Sequence, residues 1–192
     1  MTEISLHLLD VLENSAKAGA TRVRVFLGED DEGENLILEV EDDGRGMSPD
    51  EVSRAFDPFF TTTPGKKVGL GLALLRSTAE AAGGRVRVQS ASGKGTVVTA
   101  TFKLRSVDRP PLGDVPGTLE TFMICHPGIE LDFTWKTRKG SFHVNSRQEI
   151  PPCSRGSLAA VTALTEKLSA RMKDAGFQPD QGGFDIEIKA RS

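Results

Sequence analysis

The chain has 192 residues, a formal net charge of −3, 38% hydrophobic and 27% charged residues, which suits one domain with a smaller addition, large enough to bury a core. The slightly acidic balance gives nucleic acid no electrostatic footing. No apolar run approaches the ~18 residues of a membrane span, the opening MTEISLHLLDVLENS lacks the basic start of a secretory signal, and two cysteines, Cys125 and Cys153, make no disulfide framework, so a cytoplasmic protein is expected.

Residues 3–18 read as a helix, with Ile4, Leu8, Val11, Leu12 and Ser15 or Ala16 on one side and Gly19 as the stop. The stretches 21–27, TRVRVFL, and 35–41, NLILEVE, alternate as half-buried strands, joined by the acidic connection Gly28 to Glu34. DDGRGM at 42–47 is a glycine-rich turn, after which Ser48 caps a short helix with Pro49 at its first position. Residues 56–68 show no periodicity. A helix is predicted from Gly69 to Ala82, stopped by Gly83-Gly84, then strands over 85–90 and 95–104 joined by a turn at 92–95. The stretch 106–117, SVDRPPLGDVPG, is rich in Pro and Gly and reads as a linker between a domain at 1–105 and a small α+β region at 118–192. In that region a helix near 118–125, a hairpin over 129–146 turning at Lys139-Gly140, a helix over 157–175 and a strand near 184–189 are expected. This order predicts an α+β fold: a two-layer sandwich of helices on a mixed, mostly antiparallel sheet, with a small α+β C-terminal appendage.

The phosphate-binding loop GxxxxGK[ST] fails at both Lys66 and Lys94, and no GxGxxG follows a strand, so any anion cradle must take another form. On the first helix Glu3, His7, Asp10, Asn14 and Lys17 recur three or four apart as one polar stripe. A solvated face has the same pattern. Asp10 and Asn14 reach a common point. An amide oxygen there can bind a hard Mg²⁺ that keeps waters and takes its other ligands from phosphates, and the carboxylate one turn back can orient or deprotonate a water. Asp42 closes an alternating strand and faces a crevice, where it can accept a hydrogen bond from an exocyclic amine such as that of adenine. Gly44 and Gly46 let the backbone approach a planar base, although a plain acidic turn uses the same residues. Gly69, Leu70 and Gly71 open a helix and present backbone N–H groups to an anion; close helix packing also explains them. Gly93 to Thr96 form a hairpin turn.

In order and spacing these pieces resemble one family. LLDVLENSAKAGATRVRV resembles the N-box of the GHKL, or histidine-kinase-like, ATPases, most closely that of the mismatch-repair branch. DDGRGM resembles the G1 box, FDPFFTTT the F-box, VGLGLALL the G2 box, and GKGTVVTATF the last box with its closing strand. The resemblance implies the histidine-kinase-like ATPase fold, with ATP or ADP and Mg²⁺ as ligands. It places the Mg²⁺-binding asparagine at Asn14, the acidic residue that acts as base in hydrolytic branches at Asp10, and the adenine-binding aspartate at Asp42 with Gly44 and Gly46. Gly69, Leu70 and Gly71 fall on the lid beside the phosphates and Thr96 near the adenine end. Lys67 stands where histidine kinases usually have a glycine, which implies a stiffer lid or a phosphate contact. The chain opens almost at the N-box, so the strand that ordinarily precedes it is not expected, nor is a dimerisation helix with a phosphorylatable histidine. His7, inside the N-box helix, is not expected to be a phosphoacceptor.

The implied activity is ATP hydrolysis or transfer of the γ-phosphoryl group in service of an unidentified protein partner, including action as a protein kinase in trans. The alternative is a non-catalytic ATP-dependent switch or binding module. From Asp108 to Ile150 the sequence resembles the tails of small stand-alone ATP-binding proteins often encoded beside iron-hydrogenase subunits, which implies a redox complex as the regulated partner. Cys125, His126, His143 and Cys153 fit no zinc spacing, and Trp135 is expected in packing.

Overall fold

The computed structural model describes residues 3–60 and 69–176. The first helix, α1 (Ile4–Lys17), buries Ile4, Leu8, Val11 and Leu12, the apolar side that its periodicity requires. Strands β1 (Arg22–Glu29) and β2 (Asn35–Asp42) pair antiparallel. After them come the short helix α2 (Pro49–Arg54), α3 (Leu70–Ala81), β3 (Arg85–Ser90) and β4 (Thr96–Lys103). The C-terminal part adds α4 (Val115–Cys125), β5 (Glu130–Thr137), β6 (Gly140–Asn145), the single turn α5 (Ser146–Glu149) and α6 (Leu158–Asp174). The strand expected near 184–189 lies outside the described residues.

The six strands among the described residues form one sheet in the order β3-β4-β2-β1-β5-β6, and every neighbouring pair is antiparallel except β1 with β5. One face carries α1, α3, α4 and α6. Its residues are Val23, Val25, Leu27, Leu36, Leu38, Val40, Val98, Ala100, Phe102, Leu131, Phe133 and Trp135, all buried. The alternate residues turn to the other face, which no described helix covers: Arg22, Arg24, Glu39, Glu41, Thr99, Asp132, Thr134, His143 and Asn145 share it by register. Apolar-in, polar-out alternation is what a sheet covered on one side demands. The α+β sandwich expected from the order of elements is therefore the observed fold.

Segment 106–117, read as a linker, is fastened to α1. The Ile4 N–H donates to the Pro111 carbonyl at 3.0 Å and the Ser5 N–H to that of Leu112 at 2.9 Å, and Leu112 is buried. The hairpin beyond it continues the same sheet through β5. Helix α4 starts at Val115 rather than 118 because Asp114 caps it, accepting from the Gly117 N–H at 2.9 Å, with Pro116 in the first turn. Those signals sit inside the Pro/Gly stretch and read there as loop.

Candidate functional site

Helix α1 is the spine of the site. Its buried side locks it to the sheet, which leaves Asp10 and Asn14 exposed one turn apart on the other side. The next residue, Ser15, is buried, and its hydroxyl donates to Asp42 Oδ2 at 2.9 Å. Asp42 ends β2 with 9% of its surface exposed. Its Oδ1 accepts from the Gly44 N–H at 2.9 Å. Each carboxylate oxygen thus keeps a lone pair for a further donor. Across the strand end Asp42 lies opposite Thr96 in the β2–β4 ladder, and Thr96 Oγ1 is 2.9 Å from Ser90 Oγ. Ser15, Asp42 and Thr96 therefore meet on the helix-covered face, where the sequence placed only Asp42 and Thr96. Ser15 was legible only as one of two fillers of the apolar stripe.

The glycines of the two turns have packing duties of their own. Gly46 has φ +66°, and a Cβ on it would stand 2.0 Å from the Ala91 carbonyl oxygen. Gly95 has φ +79°, and a Cβ there would stand 1.8 Å from the carbonyl oxygen of Asp42. A Cβ on Gly44 would meet that of Ala18 at 2.8 Å. The DDGRGM turn and the 92–95 turn are also clasped by hydrogen bonds, Gly93 N–H to the Arg45 carbonyl at 2.7 Å and Met47 N–H to Ser90 Oγ at 2.8 Å. Asp42 is held in a rigid frame as a result.

Asp43, its neighbour, is a structural clamp that the sequence reading passed over. It accepts from the Thr21 N–H at 2.7 Å, the Thr21 hydroxyl at 2.6 Å and the Arg22 N–H at 2.9 Å. Partial burial pushes its pKa up, but these hydrogen bonds outweigh that and hold it below the ordinary carboxylate value.

At the other end of the site α3 begins beside Asp10. Gly69 is its N-cap, and the Gly69 N–H is bonded to the Pro58 carbonyl at 2.9 Å. Leu70 is half exposed. A Cβ on Gly71 would lie 3.3 Å from Asp10 Cβ and 3.5 Å from Asp10 Oδ2, so only a small residue lets the helices approach this closely. No described side chain caps α3, which leaves the N–H groups of its first turn at the positive end of the helix. Lys67, with the rest of 61–68, lies outside the described residues. His7 pins α1 to α3: it is buried, and its Nε2 is 3.1 Å from Thr78 Oγ1. Burial lowers its pKa below the ordinary imidazole value, and the charge of Asp10 opposes that shift in part.

The described sheet has six strands with helices on one face, and the strand-end carboxylate of Asp42 lies on that face with α1 and the glycine-led start of α3, the two-layer arrangement of an α+β sandwich. The family described as histidine kinase-, DNA gyrase B-, and HSP90-like ATPase matches residues 2–106, and the chain belongs to it. Among similar proteins, the methanogenesis regulatory histidine kinase FilI of Methanothrix harundinacea is 36% identical over 98 residues, 50% of this chain and 11% of that protein. The sensor histidine kinase ZraS of Salmonella typhimurium is 41% identical over 66 residues, 34% of this chain and 14% of that protein. The chain thus spans a small fraction of the length of these relatives. A crystal structure of the N-terminal domain of a DNA repair protein shares the fold, with TM-score 0.56 at 14% identity over 84% of this chain and 56% of that one.

Proposed function

We propose that this protein binds ATP with Mg²⁺ and hydrolyses it or transfers its γ-phosphoryl group to a protein partner, in the cytoplasm. The observation that carries this reading is that α1 joins the two ends of one site: Ser15 on Asp42, and Asp10 against Gly71, with Asn14 exposed between them. In this reading Asp42, with Thr96 and Gly44 and Gly46 around it, takes the adenine amine. Gly69, Leu70 and Gly71 present N–H groups to the phosphates, and Lys67 adds a cation to them. Asn14 holds the metal. Among the described residues no three His, Cys, Asp or Glu side chains converge on a point. A single amide ligand fits Mg²⁺, which keeps several waters and shares the phosphates. The metal, when bound, neutralises charge on the phosphates. Asp10 orients or deprotonates the attacking group.

Membership of a family whose relatives here are histidine kinases supports phosphoryl transfer as the chemistry. The resemblance of the C-terminal stretch supports a redox complex as the partner's setting. A thermal melt is the first test. ATP·Mg at ~100 times its dissociation constant adds ~2.7 kcal/mol, and GTP·Mg adds much less, because guanine turns an acceptor oxygen toward Asp42. Equal shifts with the two nucleotides would remove Asp42 from its role. Incubation with γ-labelled ATP then separates hydrolysis, seen as free phosphate, from transfer, seen as labelled protein.

A further inference from the structure

The chain has three histidines. Two are committed within the helix layer: His7 is buried on Thr78, and His126 Nε2 lies 2.8 Å from Glu13 Oε1 with its ring against Phe122 at 4.9 Å. The third, His143, differs. It stands on β6, at the edge of the sheet among the described residues, and points to the face that no described helix covers, with 54% of its side chain exposed. Its Nε2 lies 2.8 Å from Asp132 Oδ1.

Asp132 has only 6% of its side chain exposed, an expensive place for a carboxylate. Burial pushes its pKa up, but hydrogen bonds from Arg22, Asn145 and His143 together with the Arg22 charge outweigh that, so its pKa lies below the ordinary value. The Arg22 guanidinium donates to Oδ2 through Nε at 2.8 Å and also through Nη2, and Asn145 Nδ2 donates to Oδ1 at 3.0 Å. Ionised, Asp132 can only accept, so the Nε2 of His143 carries the proton. That assigns the lone pair to Nδ1, and among the described residues no group takes it. A buried carboxylate that fixes one ring nitrogen and stabilises positive charge on the ring is the arrangement that makes the other nitrogen a nucleophile or base. The pair opens on a groove of about 350 Å³ that Arg22, Arg24, Thr134 and Gln148 also line.

We propose that His143 is a phosphoryl-acceptor site on this protein, with Asp132 as its positioning residue, and that the donor is ATP bound to a second copy of the chain. This rests on the phosphoryl-transfer reading of the nucleotide site. Transfer within one copy is excluded by topology: Asp42 and Thr96 face the helix layer, and His143 faces the opposite side of the same sheet. In the step, the Nδ1 lone pair attacks the γ-phosphorus. The bond from that phosphorus to the β,γ-bridging oxygen breaks, and ADP leaves with the electron pair. The Nε2 proton stays on Asp132's hydrogen bond, so the phosphorylated ring is a cation paired with that carboxylate until the proton is lost to water. Edge position and half exposure give a second copy access without unfolding either one.

Two phosphate donors test this on the full chain. Phosphoramidate, a small chemical donor that needs no nucleotide site, is expected to label His143 on Nδ1 about tenfold or more faster than His126, and Asp132→Asn is expected to remove most of that advantage with folding checked by melting. Asp132→Asn is also expected to change the ¹⁵N signature of His143 away from the Nε2–H tautomer. With γ-labelled ATP·Mg, wild type is expected to acquire acid-labile, alkali-stable label that His143→Gln loses. A mixture of Asp42→Asn and His143→Gln chains is expected to carry label on the Asp42→Asn chain only. No preference for His143 with phosphoramidate overturns the acceptor assignment. Labelling by phosphoramidate without any by bound ATP overturns the transfer between copies. Absence of any ATP-induced melting shift, with His143 still preferred by phosphoramidate, sinks the nucleotide reading and the ATP donor with it while upholding the acceptor.

Discussion

Asp42 and Asp43 are adjacent and chemically identical, and the fold uses them in opposite ways. Asp42 keeps acceptor capacity, so Asp42→Asn can retain the Gly44 hydrogen bond while presenting an amide nitrogen to Ser15. The expected outcome is an apo melting temperature within a few degrees of wild type and an ATP affinity reduced about tenfold or more, read by calorimetry. Asp43 spends its acceptors on Thr21 and Arg22, so Asp43→Ala is expected to cost about 1 kcal/mol after allowance for its exposure. Its folded pKa is depressed, so its contribution is fully present above the unfolded value near ~3.9 and disappears as pH falls through the folded value. Urea denaturation at pH 7 and at pH 3 is expected to show a gap between wild type and Asp43→Ala that narrows at the lower pH. Gly95→Ala is the sharpest case, since both the φ of +79° and the Asp42 carbonyl oppose a side chain. It is expected to lose several kcal/mol of stability, or fail to fold, as seen by denaturation.

Among the elements, α1 carries most of the proposed site, and its stripe was readable because helical spacing alone puts Asp10 and Asn14 together. What spacing could not tell was which partner each face would meet. Glu13 and Ser15 flank Asn14, and their ties to His126 and Asp42 depend on chain that folds back from elsewhere. The strands were legible for the same local reason, alternation, and their ends fall within two residues of expectation. The parallel pairing of β1 with β5 was not, because no turn residue specifies a partner so distant in sequence. For Asp10, the approach to Gly71 makes a specific test. Asp10→Asn is expected to keep nucleotide affinity and lose nearly all phosphate release or transfer if Asp10 is the base. Asp10→Glu extends the carboxylate by one methylene toward the attacking group and is expected to raise hydrolysis above wild type. Weakened Mg²⁺-dependent binding in Asp10→Asn, by the same calorimetry, would assign Asp10 to the metal's water shell.

At the scale of the molecule, the sheet and helix layer make one core from residues on both sides of 106–117. Strand β5 covers the edge of β1, and α4 covers α1 and packs on α6. The single tryptophan, Trp135, lies fully buried on β5 and reports on the C-terminal half. Denaturation followed by its fluorescence and by far-ultraviolet circular dichroism is expected to give coincident transitions, since two independent units would separate them. A chain ending at residue 105 exposes the β1 edge and the side of α1 that faces α4, and is expected to aggregate or to melt well below the full protein.

The β1–β5 ladder also sets a timetable. Arg22 must wait for Glu130 before its strand has a neighbour on that side, whereas residues 10 to 96, which hold the candidate nucleotide contacts, have all been made earlier. Closing so long a loop is entropically slow and is repaid only at the end. On the ribosome the chain therefore passes through a stage in which the half that holds the candidate site is complete in sequence but lacks its β5 neighbour, the stage most exposed to misassociation with another nascent chain. Nucleotide present during synthesis would act at that stage, holding the early half together until the last strands arrive.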